Sequence, residues 1–330
     1  MSVRDVLIVG AGPSGLATAI AAKQQGLDYV IVEKGVLVNS VFRFPVHMIF
    51  FTTPELLEIG GLPLVSPNDK PSRLEALRYY RRVVDTYSLP ISFHERVTAI
   101  ERDADDGVFS VTTSDGRGVV RARHARAVVM AIGYYEHPNR LAVPGEDLPH
   151  VSHFYDEAHP YYRRRVVIVG GKNSAAEAAL ELFRAGAHVT IVHRRAALGE
   201  SIKYWVKPDI ENRIKEGSVA ARFESRVVEI TPMHVEIEHS GSREQLPADR
   251  VFLLTGYHPD VDLMRRAGVR CDEQTLAPEY NPETFETNVP NLFVAGGAVA
   301  GKNTGTIFIE NGRFHGQKII DLLARRLLPD

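Results

Sequence analysis

Two stretches, VLIVGAGPSGLATAIAAKQQGLDYVIVEK (Val6–Lys34) and VVIVGGKNSAAEAALELFRAGAHVTIVHR (Val166–Arg194), align without a gap at an offset of 160 residues (166 − 6). Each opens with an apolar run of four ending at a glycine, as a buried parallel strand does, and passes into an Ala/Leu-rich helix. Each helix stops at a glycine, Gly26 or Gly186, where the left-handed C-terminal conformation is least costly. A second apolar strand follows, Tyr29–Val32 or Val189–Val192. The unit is βαβ, present twice, and it predicts an α/β protein with two Rossmann-like dinucleotide-binding domains.

Downstream of each unit the pattern turns to short alternating strands. In the first half these are Val97–Arg102, Val108–Thr113 and Val119–Arg123, and in the second Ala220–Ile230 and Val235–His239. Both meanders close on an apolar strand ending in glycine, VVMAIG at Val128–Gly133 and VFLLTG at Val251–Gly256. After Gly256 no third βαβ unit occurs, but LFVAGGAVAG (Leu292–Gly301) runs from a strand into a glycine-rich turn, followed by the helix IFIENGRFHGQKIIDLLARRL. That tail would complete the first domain. The expected division is therefore 1–136 with 257–330 for the first dinucleotide-binding domain, and 137–256 for an inserted second one.

In the first copy Gly10-x-Gly12-x-x-Gly15 follows a strand and opens a helix, the context that gives this pattern its force. Gly10 permits the tight turn, Gly12 lets backbone approach a pyrophosphate, and Gly15 lets helix and strand pack. Glu33, 23 residues after Gly10 (33 − 10), stands where a carboxylate accepts ribose hydroxyls. In the second copy His193 and Arg194 replace Glu33 and Lys34, and Arg195 follows, so bases stand where an acid would repel a 2′-phosphate. This favours NADPH over NADH, with Lys203 a further candidate for the same patch. Lys172 takes the place of the central glycine, where its ammonium must itself meet a phosphate.

The chain of 330 residues has a formal net charge of −2 and no low-complexity segment, which argues against nucleic acid or an anionic membrane as main partner. The apolar run Val6–Ala22 is broken by Gly10, Gly12, Pro13 and Gly15, unlike a secretory core, and no stretch reaches the about 20 apolar residues of a membrane span. A cytoplasmic protein is expected. One cysteine, Cys271, excludes an internal disulfide, a cysteine zinc cluster and a Cys-x-x-Cys pair. No cluster has metal-ligand spacing, so no metal is expected. Tyr79 and Tyr80, in the Arg-rich stretch Leu74–Val84, read as part of a surface helix, with a homodimer or higher homo-oligomer as the expected assembly.

EKGVLVNS (Glu33–Ser40), FPVHMIFFTTPELLEIG (Phe44–Gly60), IGYYEHPNRLAVPGEDLP (Ile132–Pro149), GGKNSAAEAALEL (Gly170–Leu182), TGYHPD (Thr255–Asp260) and IFIENGRFHG (Ile307–Gly316) resemble the bacillithiol-disulfide reductase family, within the thioredoxin-reductase-like flavoproteins. The resemblance runs over nearly the whole chain. It implies an FAD site at Gly10, Gly12, Pro13, Ser14, Gly15, Glu33, Lys34, Asn39, Ser40, His47, Val97, Gly133, Gly297, Ala298 and Ile309. It implies an NADPH site at Gly170, Gly171, Lys172, Asn173, Ser174, His193, Arg194, Arg195, Lys203 and Gly256. Ser14 and His47 are the catalytic candidates beside the flavin; for His47 a core histidine is the alternative, and cofactor contact is slightly favoured.

Two departures bear on the chemistry. The Cys-x-x-Cys of thioredoxin reductases has His153-Phe154-Tyr155-Asp156 in its place, which excludes a dithiol relay, and the cysteine that bacillithiol-disulfide reductases carry in the first fingerprint is Ser14. A hydroxyl does not substitute for a thiolate in disulfide exchange. The aspartate usual after the late Ala-Gly is also replaced, by Gly297. The expected function is electron transfer from NADPH through FAD to a small acceptor, such as a low-molecular-weight disulfide. Electron transfer to ferredoxin or a quinone, and a redox-sensing FAD/NADPH-binding protein, are the alternatives.

Overall fold

The structure is a computed structural model describing residues 3–328. It divides into two units: residues 1–44, 48–137 and 257–330 in the first, and residues 45–47 and 138–256 in the second. The chain passes out after His137 and returns at Tyr257. The three residues Pro45–His47 group with the second unit, which no local sequence signal announces.

The first unit is built on strands Val3–Val9 and Tyr29–Val32, paired in parallel across the helix Pro13–Gln24. Val3–Val9 also pairs in parallel with Val120–Met130. The sequence pattern divides this last strand into Val119–Arg123 and Val128–Gly133; in the structure it is continuous because its two ends have different neighbours. Its N-terminal part pairs antiparallel with Phe109–Asp115, while Val128–Met130 pairs in parallel with Leu292–Val294. The alternating part is thus half-exposed sheet, and the apolar part is buried on both faces.

The helix Arg73–Tyr87 begins at a capping box in which Ser72 and Glu75 satisfy each other's backbone amides, worth about 1 kcal/mol. Tyr79 and Tyr80 are not surface residues. They are 5% and 0% exposed, and the Tyr80 hydroxyl donates to the Leu57 carbonyl at 3.1 Å, tying the helix to the chain before it. The aromatic positions belong to the buried stripe of this amphipathic helix, and the flanking Arg78, Arg81 and Arg82 form the wet face. The C-terminal helix is in two pieces, Ile309–Gly312 and His315–Leu327.

The second unit repeats the βαβ with the same spacing: Arg165–Val169, the helix Asn173–Arg184 and His188–Val192. Its five-stranded sheet is parallel, with Arg250–Leu253 on one side and Ala220–Arg222 on the other. The run Ala220–Ile230 is not one strand. Glu224, at φ 52°, turns the chain after Arg222, and Ser225–Ile230 joins a separate antiparallel sheet of three strands. No helix among the described residues is long and apolar enough to cross a membrane.

Candidate functional site

In the first unit a cleft runs along the C-terminal ends of the parallel strands, with about 1170 Å³ of empty space counting its open mouth. The strand order places Glu33, Gly10, Gly133 and Gly296 in that sequence along the edge, since each follows one of four adjacent strands. Of the expected FAD residues, Gly10, Gly12, Pro13, Ser14, Glu33, Lys34, Asn39, Ser40, Val97, Gly133, Gly297 and Ile309 line it.

The three fingerprint glycines do different work. Gly10 has φ 106°, and a Cβ there would lie 2.5 Å from the Ala131 carbonyl oxygen. A Cβ on Gly15 would overlap the carbonyl oxygen of Gly10, so Gly15 is where helix and strand touch. A Cβ on Gly12 would meet nothing within 4 Å. Gly12 therefore faces open cleft, and its lack of a side chain matters to a ligand and not to the fold. The cradle fits a dinucleotide pyrophosphate.

Glu33 is 5% exposed and accepts from the amides of Ala11 and Gly35, each at 2.8 Å. Burial pushes its pKa up, and those two amides and Lys34 oppose the shift. Lys34 pairs with Glu136, which also accepts from the Asn39 side-chain amide at 2.8 Å. Burial opposes ionisation of Glu136, but Lys34, Arg43 and Arg96 outweigh it and hold its pKa low. Glu33, Lys34, Glu95, Arg96 and Glu136 thus line the cleft with charges of both signs.

Three expected FAD residues are elsewhere. Gly15 is spent on packing, Ala298 is wholly buried, and His47 is exposed and groups with the second unit. His47 does not line the cleft, because the chain leaves the first unit between Phe44 and Met48. Sequence reasoning missed Tyr134, Tyr135, Glu136 and Gly296, all of which do. The first three directly follow Gly133 at a strand end, a position that sequence order alone marks as facing a Rossmann ligand.

His315 steadies the far end. It is 7% exposed, its ring stacks on Phe285 at 4.0 Å, and its Nδ1 accepts from the Gly296 amide at 3.1 Å. Burial, then Lys318, push its pKa down to about 4. The unfolded chain thus binds this proton more readily, so stability is present above about pH 6.5 and is lost as pH falls toward 4. Between pH 7 and pH 4.5 the wild type should lose about 2.5 kcal/mol more than His315→Phe, read by urea unfolding at both values. Parallel losses in the two proteins would show that His315 does not titrate this way.

In the second unit the turn keeps Gly170 in the place of Gly10, while Lys172 and Ala175 stand in the places of Gly12 and Gly15, and the residue at the second strand end is exchanged as well. Where Glu33 accepts the amide of Ala11, the His193 ring lies over Gly171, whose Cβ would fall 2.5 Å from Nε2. Burial, then Arg195 and Arg194, lower the His193 pKa, so it is neutral at pH 7 and the charge here belongs to the arginines. Arg194 and Arg195 are exposed, as are Lys172 and Ser174. Asn173 donates to the Ser201 carbonyl at 2.9 Å and accepts from the Lys203 amide at 2.8 Å, closing the loop over the turn.

Lys203 is not part of the basic patch. It is 5% exposed, with Nζ 2.5 Å from Glu177 and over the Trp205 ring at 5.8 Å. A buried ammonium needs a carboxylate, and Glu177 on the facing helix supplies it. Gly170 lies under the Leu254 carbonyl, and Gly256, at φ 92°, faces the Asn139 amide. Among the described residues no group of three or more His, Cys, Asp or Glu side chains forms a metal site. Cys271 is half-buried and outside the cleft, and burial raises its thiol pKa.

The family described as Pyridine nucleotide-disulphide oxidoreductase matches residues 7–296. The chain is 42% identical over 328 residues to the Bacilliredoxin reductase Bdr of Bacillus subtilis (strain 168), covering 99% of each. It superposes on the Bacillithiol Disulfide Reductase Bdr (YpdA) from Bacillus cereus with a TM-score of 0.96 at 41% identity, over 98% of this chain and 100% of that one. Thioredoxin reductase of T. acidophilum shares the fold, with a TM-score of 0.76 at 22% identity over 99% of each chain. Family and neighbours together imply FAD and NADPH as cofactors. The chain is an oxidoreductase that belongs to the pyridine nucleotide-disulphide oxidoreductase family and, within it, to the Bdr group of thioredoxin-reductase-like flavoproteins.

Proposed function

We propose that this chain carries electrons from NADPH, held at the Gly170 turn and Arg194–Arg195 of the second unit, to FAD in the cleft of the first unit, and from there to bacillithiol disulfide. The observation that carries the reading is the pair of matched turns with opposite charge at the second strand end. A buried carboxylate at position 33 suits ribose hydroxyls, and exposed arginines at 194 and 195 suit a 2′-phosphate. FAD, when bound, would supply two-electron chemistry between the coenzyme and a disulfide, whose reduction to two thiols consumes the hydride of NADPH and one proton from water.

The protein's share is position and charge. Glu33 and Gly12 hold the dinucleotide in register, and the Gly296 turn, fixed by His315, closes the end where Ser14 stands. The substrate is inferred from the name of the B. cereus enzyme; the name of the B. subtilis one makes a bacilliredoxin the second reading. A cytoplasmic setting accords with a chain of a single cysteine.

The test is NADPH oxidation with bacillithiol disulfide, with a bacilliredoxin mixed disulfide, and with neither. Stimulation by the small disulfide alone supports the reading, and stimulation only by the protein moves the substrate to the second. Because Ser14 lines the cleft and Cys271 does not, turnover is expected to need no protein thiol. Cys271→Ser should keep wild-type rates, and Ser14→Cys should raise disulfide reduction selectively, with rates on artificial dyes unchanged. Loss of turnover in Cys271→Ser with FAD retained would overturn the thiol-free mechanism.

A further inference from the structure

Gly297 is a glycine without a backbone reason to be one. Its neighbour Gly296 has φ 65°, but Gly297 is not among the left-handed residues. What excludes a side chain is Tyr134: a Cβ on Gly297 would fall 2.5 Å from Tyr134 Cδ1 and 2.7 Å from Cε1. The contact spans 163 residues of sequence (297 − 134) and brings together two adjacent strand ends, Val120–Met130 and Leu292–Val294. Gly133, at φ 62°, turns the chain so that the tyrosine enters the cleft.

The place of this pair along the cleft gives it a role. Glu33 is at one end and the Gly10–Gly12 turn follows, so a dinucleotide lying from ribose to pyrophosphate presents its other half to Gly296, Gly297 and Tyr134. We propose that Tyr134 is the aromatic contact for the isoalloxazine ring, and that Gly297 is held side-chain-free so that the Tyr134 ring can lie there. The inference rests on the FAD reading above and deepens it. A phenol brings both a face that packs on a planar ring and a hydroxyl that donates a hydrogen bond. Burial, and then the charge of Glu310, push the Tyr134 pKa up, so the hydroxyl keeps its proton. Ser14 and Gly312 crowd Gly296 from the other side: a Cβ on Gly296 would lie 2.8 Å from the Ser14 Cβ, and one on Gly312 3.1 Å from the Gly296 Cα. Tyr134 is thus the large side chain that meets Gly297, while small residues pack on Gly296 from the other side.

The test is a cycle of four holoenzymes as purified: wild type, Gly297→Ala, Tyr134→Ala and the double variant. FAD per chain and the rate of FAD release on dilution are read for each, with Tyr134→Phe added for fluorescence. Gly297→Ala is expected to speed FAD release about tenfold in the wild-type background and to have little effect once Tyr134 is alanine. Tyr134→Ala alone should raise the fluorescence of bound FAD severalfold, because an electron-rich ring in contact quenches it, while Tyr134→Phe raises it less. Equal effects of Gly297→Ala in both backgrounds, or unchanged fluorescence in Tyr134→Ala, would overturn the proposal. A wild-type protein without FAD would instead overturn the reading on which it rests.

Discussion

Gly12→Val is expected to give a folded, colourless protein. Gly12 sits at φ −77°, ψ 175°, extended backbone open to any residue, and it precedes the helix Pro13–Gln24 without donating a side-chain cap. No atom lies within 4 Å of where its Cβ would be, so valine costs the fold only the difference between a fair N-cap and a poor one, about 1 kcal/mol. The same open space is what a pyrophosphate must enter to reach the amides at the start of the helix. FAD per chain should fall from about one to below about one-tenth, while the melting temperature of the FAD-free protein moves by no more than about 4 °C. Gly15→Ala is the control with the opposite signature. Its methyl would overlap the Gly10 carbonyl oxygen, and the strain of parting helix from strand should cost about 1–3 kcal/mol whether or not FAD is present. Absorbance at 450 nm after gel filtration and thermal melting of both variants check this. A fully loaded Gly12→Val protein would remove the pyrophosphate from this turn.

Such a division of labour among three glycines was half legible from sequence. Spacing and context identify the turn, because strand, glycines and helix are contiguous and their geometry is local. The repeat is legible for the same reason: the helices Pro13–Gln24 and Asn173–Arg184 differ in number by 160 at both ends (173 − 13 and 184 − 24). What escapes is decided through space. Nothing near Lys203 announces Glu177, and nothing near Gly297 announces Tyr134. Tyr79 and Tyr80 misled because arginines flank them, yet a helix needs only one face buried, and the tyrosine face is that one. Val120–Met130 reads as two strands in the sequence because its pattern changes midway, when what changes there is the neighbouring strand.

Arg194→Ala should weaken NADPH much more than NADH. In the first fingerprint the residue at the second strand end is a buried carboxylate that also accepts a backbone amide, an arrangement that would repel a 2′-phosphate. In the second the corresponding His193 is neutral and occupied in covering Gly171, so it contributes shape and no charge. Lys203 is occupied by Glu177, and Arg222 by Glu244. Arg194 and Arg195 remain, exposed and, among the described residues, with no recorded side-chain ion pair. A charge-assisted bond to phosphate is worth about 1.5–3 kcal/mol, so loss of Arg194 should raise the Kd for NADPH roughly ten- to a hundredfold and leave NADH within about twofold. Arg194→Lys should recover only part of the loss, since an ammonium keeps the charge but not the two-pronged geometry. Lys203→Met should weaken both coenzymes alike if at all, because that side chain braces the loop through Glu177 and does not reach the patch. Titration of coenzyme fluorescence against each variant distinguishes these outcomes, and equal losses for NADPH and NADH in Arg194→Ala would reduce the arginine pair to a solvated loop.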